Sequence, residues 1–330
     1  MDIGFLIAIS LKCLVIIAVF AGIGGYITVI ERKILAFMQR RLGPMNMGPY
    51  GMLQIIPDMI KLLTKEDVVP AGAIKPIFKI APVISVIATF TALSAIPLLP
   101  EFTIFGITVS PIIADINIGI LFVLAVGSTA MYGPLLAGIS SNNKWSLIGG
   151  ARAVSQMISF EVIAALSLLA PIMMIGSLSL IDINNYQVGG IQNWLIFTQP
   201  IAFILFMIAI FAETNRTPFD LIEFEAEIVS GYATEYSGLR WGIFFVAEYA
   251  AMIIASFLVS IIFLGGFNSL WIIPGGVMIL LKVAFLIFLF LWTRAAWPHI
   301  RPDQLMEFCW KILMPLAILN ILITGFILIL

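Results

Sequence analysis

Long uninterrupted apolar runs alternate with short polar segments along the whole chain. Eight of these runs, near Ile3–Ile30, Pro76–Leu98, Ile112–Ile139, Leu147–Ile175, Trp194–Ala212, Trp241–Leu264, Trp271–Trp292 and Cys309–Leu330, suffice for a hydrocarbon core about 30 Å thick. The pattern predicts an all-α integral membrane protein with about eight transmembrane helices, forming a single membrane domain over residues 1–330. One polar interruption has a period of its own. Across about residues 44–66, Met52, Ile55, Ile56, Met59, Ile60 and Leu63 recur at helical spacing, with Gln54, Asp58, Lys61 and Lys65 on the other side. That is an interfacial amphipathic helix, lying in the membrane plane. Gly43-Pro44 and Gly48-Pro49 are turn signals before it, and Pro57 is expected to kink it or start a second piece. Its Met-rich face suits either an ordinary surface helix or one wall of an entrance for a lipophilic ligand.

With 62% hydrophobic and 11% charged residues, the chain is not an ordinary soluble domain. The first run carries Lys12 and ends in Glu31, Arg32 and Lys33, which reads as a retained helix rather than a cleaved signal. Glu31 beside two cations reads as a paired residue at the membrane boundary. Cys13 and Cys309 form no CxxC, and His299 is the only histidine. Neither an iron–sulfur site nor a bis-histidine haem is encoded within this chain, so redox centres belong on partner subunits. No metal site, catalytic triad, phosphate loop or nucleic-acid motif is present. Arg32, Lys33, Arg40, Arg41, Lys61, Lys65, Lys75, Lys144, Arg216, Arg294 and Arg301 fall in alternate inter-helix segments. The positive-inside rule then places those segments in the cytoplasm and both termini on the opposite side.

The richest chemistry lies between two apolar runs, in an acidic loop over about residues 213–238. It contains Glu213, Asp220, Glu223, Glu225, Glu227 and Glu235, six of the 18 acids, together with Arg216. Crowded carboxylates beside a membrane repel one another and lose solvation, which favours proton exchange near neutral pH. Phe211, Phe219, Leu221, Phe224, Ile228 and Val229 are woven through the loop, more than a merely solvated segment needs. Within the spans, Glu161, Glu248 and Lys282 are costly in hydrocarbon unless paired, neutral or facing a wet cavity, and they read as a proton path. For Glu161, an interhelical hydrogen bond is the structural alternative. Asp115 reads as a hydrated acid near an outer helix end, and Ser140 to Asn143 as a helix cap.

The stretches ERK, RLGPMNMGPYGMLQIIPDMIKLLTKE, SSNNKWSLIGGARAVSQMISFE, AETNRTPFDLIEFEAEIVSGYATEYSG and FFVAEYA together resemble the quinone-chamber membrane subunit of respiratory complex I. The resemblance runs from about Glu31 to Pro315. It implies a subunit of a proton-pumping NADH (or related donor):quinone oxidoreductase, located where the quinone enters. Carried over motif by motif, it implies that Arg32, Asp58, Lys61 and Arg152 shape a quinone cavity. It further implies that Glu213, Arg216, Asp220, Glu223, Glu225, Glu227 and Glu235 form the coupling loop, and that Glu161, Glu248 and Lys282 are intramembrane charged positions. Quinone is then the substrate, and no cofactor is covalently bound to this chain. Iron–sulfur clusters and flavin are expected on partners: peripheral-arm iron–sulfur and quinone-site subunits, small membrane subunits and antiporter-like subunits, within the lipids of an energy-transducing inner or cell membrane. The sequence departs from the usual family pattern at Ile222, Phe224, His299 and Pro302.

Two other classes compete. A membrane anchor of an ion-pumping hydrogenase would share parts of this pattern, and a secondary transporter would show an inverted repeat, which this sequence lacks. The electron donor stays open between NADH, a reduced deazaflavin and ferredoxin, and the acceptor between quinones and methanophenazine.

Overall fold

The structure, a computed structural model, describes residues 3–104, 107–221, 228–269 and 273–330. Glu223, Glu225 and Glu227 of the acidic loop, with Ile222 and Phe224, lie outside the described residues.

The first apolar run folds as α1 (Ile3–Met38), 36 residues without a break. It continues about ten Å past Glu31 at 1.5 Å per residue, so the ERK motif lies within the helix rather than at its end. A turn over Pro49–Gln54, with left-handed Tyr50 and Gly51, leads into α2 (Ile55–Thr64). Pro57 sits in the first turn of α2, where the backbone N–H groups have no intrahelical partner and proline costs little. It leaves α2 unkinked and stands at the start of the piece that follows the Pro49–Gln54 turn.

Next come α3 (Lys75–Leu93), the antiparallel hairpin of β1 (Phe102–Ile104) and β2 (Ile107–Val109), α4 (Gly119–Thr129) and α5 (Tyr132–Ser140). The third expected span therefore starts later than its apolar run: the segment around Asp115 is non-helical and Asp115 is exposed. Helix α6 (Lys144–Ile175) is capped as expected, with Asn143 Oδ1 accepting from the Trp145 N–H at 3.0 Å. After α7 (Leu180–Tyr186), the fifth expected span divides into α8 (Leu195–Thr198) and α9 (Pro200–Glu213). Pro200 cannot continue the preceding helix. The 14-residue α9 is about 21 Å long, shorter than a hydrocarbon core.

The last elements are α10 (Gly238–Phe263), α11 (Gly275–Ala296), α12 (Pro302–Phe308) and α13 (Met314–Ile329), the last two joined by a π-helical turn over Cys309–Leu313. Gln199 donates to Thr324 Oγ1 at 3.0 Å and accepts from Asn320 Nδ2 at 3.2 Å, both on α13. Among the described residues, seven helical stretches are long and apolar enough to cross a membrane, and α9 is a shorter eighth apolar helix. The chain is an all-α integral membrane protein in class, the small hairpin apart.

Helix α10 is the axis of the bundle. In its apolar window 78% of the residues are buried within the protein, against 22% for α1 and for the C-terminal stretch. Ile253, Val259, Ile261 and Phe263 of α10 are almost wholly enclosed, by residues that include Phe206 and Phe203 of α9 through contacts to Phe263.

The described end of the acidic loop, residues 228–237, is a buried stem. Tyr236 stacks on Phe78 with ring centroids 4.0 Å apart, donates to the Phe78 carbonyl at 2.9 Å and meets Phe244 edge-on. Burial pushes the Tyr236 phenol up to about 12. The folded protein therefore holds this proton where the unfolded chain, with a phenol near pH 10, has lost it. Its contribution is complete below about pH 10 and declines as pH rises through about 12. The Tyr236→Phe variant is expected to lose less stability than the parent between these two values, measured by thermal unfolding in detergent across alkaline pH.

Candidate functional site

A cavity of about 380 Å³ opens between α1, α2 and α10. Gly24, Thr28, Glu31 and Leu35 of α1 line it, at the spacing of one helix face, with Arg32 beside them. Trp241, Phe245 and Tyr249 form the facing stripe of α10, one turn apart from each other. Helix α2 supplies Ile55, Asp58, Met59 and Leu62. The α2 wall is thus a mixed face rather than the uniformly apolar one read from the sequence. Met52, Ile56, Ile60 and Leu63 are about half exposed on the side away from it.

Missing side chains matter to its shape. A Cβ on Gly25 would stand 2.8 Å from Ile55 Cδ1, and one on Gly242 would stand 3.1 Å from Leu62 Cδ1. Both glycines let α2 lie close to its neighbours while leaving space between them.

The polar groups sit at opposite ends of a burial gradient. Arg32 pairs with Asp58 at 2.6 Å, and Gln54 also donates to Asp58 at 3.1 Å. With side chains 52% and 25% exposed, this pair is worth about 0–1 kcal/mol. At the deep end Glu31 is 4% exposed. Its carboxylate accepts from Arg216 at 3.2 Å, from the Tyr249 hydroxyl at 2.6 Å and from Arg294. Arg216, 2% exposed, lies 4.6 Å above the Tyr249 ring and also pairs with Glu248 at 3.1 Å. Burial opposes its charge, but the carboxylates of Glu248 and Glu31 outweigh that and hold the guanidinium firmly protonated. Two acids and two guanidiniums thus share one largely dry volume. Such a cluster is stable only while every member keeps its partner.

Beyond the cluster the polar surface continues. A space of about 20 Å³ is lined by Asn215, Arg216, Asp220, Tyr232, Glu248 and Arg294. One of about 60 Å³ shares Asn215, Tyr232 and Glu248 with it and adds Glu213, Ser85 and Thr89. A third, about 80 Å³, shares Glu213, Thr214 and Thr89 and is otherwise mostly apolar. These volumes are large enough for one to a few waters where polar groups line them. Glu161 is half-buried and close enough to Glu213 to interact with it electrostatically.

The structure therefore brings together Arg32 and Asp58 at the cavity, Arg216, Asp220 and Glu248 behind it, and Glu213 with Glu161 further on. Lys61 is exposed, Arg152 is half-buried, and neither lines the cavity. Glu235 is taken up by the α6 cap, accepting from Asn143 Nδ2 at 2.6 Å. Lys282 stands apart. It donates to the Gly266 carbonyl at 2.8 Å and lies 4.4 Å over the Trp194 ring, twelve residues and about 18 Å along α11 from Arg294. Sequence reasoning gave no role at the site to Tyr249 or Arg294 and assigned Glu31 to its chain neighbours. The available signal was the face shared by Gly24, Thr28, Glu31 and Leu35 in an otherwise lipid-like helix.

The arrangement has relatives. A family model described as NADH dehydrogenase matches residues 11–325. The H subunit of NADH-quinone oxidoreductase from Wolinella succinogenes is 67% identical over 99% of both chains. The proteins of that name from Nitratiruptor sp. and Helicobacter hepaticus are each 62% identical, over 99% and 98% of both chains. The chain belongs to the family of NADH-quinone oxidoreductase H subunits. At these identities, neither the membrane anchor of a hydrogenase nor a free-standing transporter is favoured.

Within this member of the NADH-quinone oxidoreductase family, Arg216 is the residue on which the buried cluster turns. Replacing it by Met leaves Glu31 and Glu248 short of a cation at once, a change expected to cost about 3–5 kcal/mol. Arg216→Met is expected to lower the melting temperature and yield of the protein sharply. Arg216→Lys, which keeps the charge but not the fork, should fall between Met and the parent; detergent-solubilised thermal unfolding measures both.

Proposed function

We propose that the cavity between α1, α2 and α10 admits the quinone of a complex I-type NADH-quinone oxidoreductase, and that the polar spaces behind it couple quinone reduction to proton translocation. The observation that carries this reading is the graded cavity itself. Apolar walls suit a long lipophilic tail, and a few converging polar groups at one end suit a small polar head.

Electrons come from partner subunits, which hold the flavin and iron–sulfur clusters, while this chain supplies access, charge and protons. Reduction of a quinone takes up two electrons and two protons. A change of charge at the cavity alters the balance among Glu31, Arg216, Arg294 and Glu248, because these groups share partners. Glu213, which lines the adjoining spaces, and Glu161, which interacts with it electrostatically, extend the effect toward membrane partners of antiporter type. Glu223, Glu225 and Glu227 belong with the same acidic loop, and Lys61 and Arg152, outside the cavity lining, shape the quinone's surroundings toward a peripheral-arm partner. Lys282, held by Gly266 and Trp194 apart from these spaces, belongs to the intramembrane charged groups of the proton path. The complex occupies an energy-transducing inner or cell membrane, with the charged loops in the cytoplasm and both termini outside. The chain acts as one membrane domain throughout.

Filling the cavity tests its role. Gly242→Leu places a side chain between α10 and Leu62 and is expected to raise the KM for a soluble quinone about tenfold, a loss near 1.4 kcal/mol. Electron transfer from the donor to an artificial acceptor that bypasses the quinone should stay at the parent rate. An unchanged quinone KM in fully assembled complex would refute the access reading.

A further inference from the structure

The end of α2 is fastened to the end of the acidic loop. Ser237 Oγ donates to the Glu66 carbonyl at 3.2 Å and accepts from the Val68 N–H at 3.4 Å. Arg240 pairs with Asp67 at 3.0 Å. Gly238, at φ +58°, lets the two strands of chain meet, since a Cβ there would lie 3.1 Å from the Lys65 carbonyl oxygen. Together these interactions clasp residues 65–68 to residues 237–240.

The two sides of this clasp differ in how firmly they are held. Helix α2 has no buried residue, and beyond the cavity its opposite face is largely exposed. The stem is enclosed: Ile228, Gly231, Tyr232, Ala233 and Tyr236 are all buried. Phe244 receives both Tyr232 and Tyr236 edge-on, at 5.0 and 5.2 Å, while Tyr236 stacks on Phe78. A packed aromatic group of this kind moves as a unit rather than deforming. At its other end, Tyr232 lines the two polar spaces that contain Glu248, Asp220 and Glu213.

We propose that Asp67, Ser237 and Arg240 are positioning residues for proton coupling: their clasp transmits displacement of α2 by a cavity occupant through the aromatic stem to the polar spaces around Glu248 and Glu213. This rests on the access reading above. Of the cavity's three helical walls, α2 is the one with least packing to resist displacement, and its C-terminal end leads directly to the clasp. The stem carries the motion back from Ser237 to Tyr232, where it changes the space between acids that the loop and α10 supply. Electron delivery needs none of these contacts. The clasp therefore governs how many protons move per quinone reduced, not how fast quinone is reduced.

The test uses native membranes containing the whole complex, with variants normalised to the amount assembled on a native gel. Quinone reduction and proton translocation are read in parallel, NADH being tried first as donor. Asp67→Asn and Ser237→Ala are expected to keep quinone reduction within about twofold of the parent and to cut protons moved per quinone by half or more. Asp67→Glu should keep the parent ratio. Arg240→Asp should lower it, and combining that change with Asp67→Arg should restore most of the loss. An unchanged ratio in both clasp variants overturns the proposal, as does a proportional fall in both activities or loss of assembly that the charge swap does not rescue. Gly242→Leu separates the two readings. A raised quinone KM there with an unchanged ratio in the clasp variants removes the clasp alone, whereas an unchanged KM removes the access reading beneath it.

Discussion

Glu31 is a carboxylate in a place where a carboxylate is costly, and the architecture around the cavity is arranged to keep it partnered. Its three donors come from the loop after α9, from α10 and from the far end of α11. Holding them together fixes where α1, α10 and α11 can stand relative to one another. Removing Arg216, the cation that Glu31 and Glu248 share, leaves both buried carboxylates short of a partner. The cavity lies directly against this constraint, so whatever enters it meets a cluster already close to the limit of what burial tolerates.

That arrangement explains why the site is graded rather than uniformly charged. The Arg32–Asp58 pair on the open side is hydrated enough to be energetically slight and replaceable in register. The Glu31–Arg216 pair, with side chains 5% and 2% exposed, lies where electrostatic interactions are stronger. Arg216 is shared by Glu31 and Glu248, which makes one cation answerable to both the cavity and the spaces behind it. A perturbation on one side is felt on the other without any large movement.

Support for the thin wall of the cavity comes from elsewhere. Helix α2 gains little from burial of its own, and its position rests on close approach at Gly25 and Gly242 and on the clasp at residues 65–68. The acidic loop, in contrast, ends in a stem whose Ile228, Gly231, Tyr232, Ala233 and Tyr236 are buried. A loosely held wall joined to a firmly held stem is a suitable geometry for turning occupancy into a signal.

The sequence by itself determined the membrane class, the apolar runs that become helices, the cap at Asn143 and the concentration of acids between α9 and α10. These are local properties, written in hydrophobic periodicity and in side chains that bond within a few residues. It placed Arg32, Asp58, Arg216, Asp220, Glu248, Glu213 and Glu161 among the residues of interest, and the structure arrays them in one region. Tertiary structure decided the rest. Glu31 looked paired with its neighbours because Arg32 and Lys33 are adjacent in the chain, yet its partners are 185, 218 and 263 residues away. Periodicity gave α2 an apolar face but not its direction, and the cavity took the mixed face of Ile55, Asp58, Met59 and Leu62. Glu235 was one acid among many until Asn143 claimed it, and Lys282 was one intramembrane charge among three until Trp194 and Gly266 held it at the other end of α11. A charge in a dry interior is defined by its partner, and partners brought together across hundreds of residues leave no mark in local sequence.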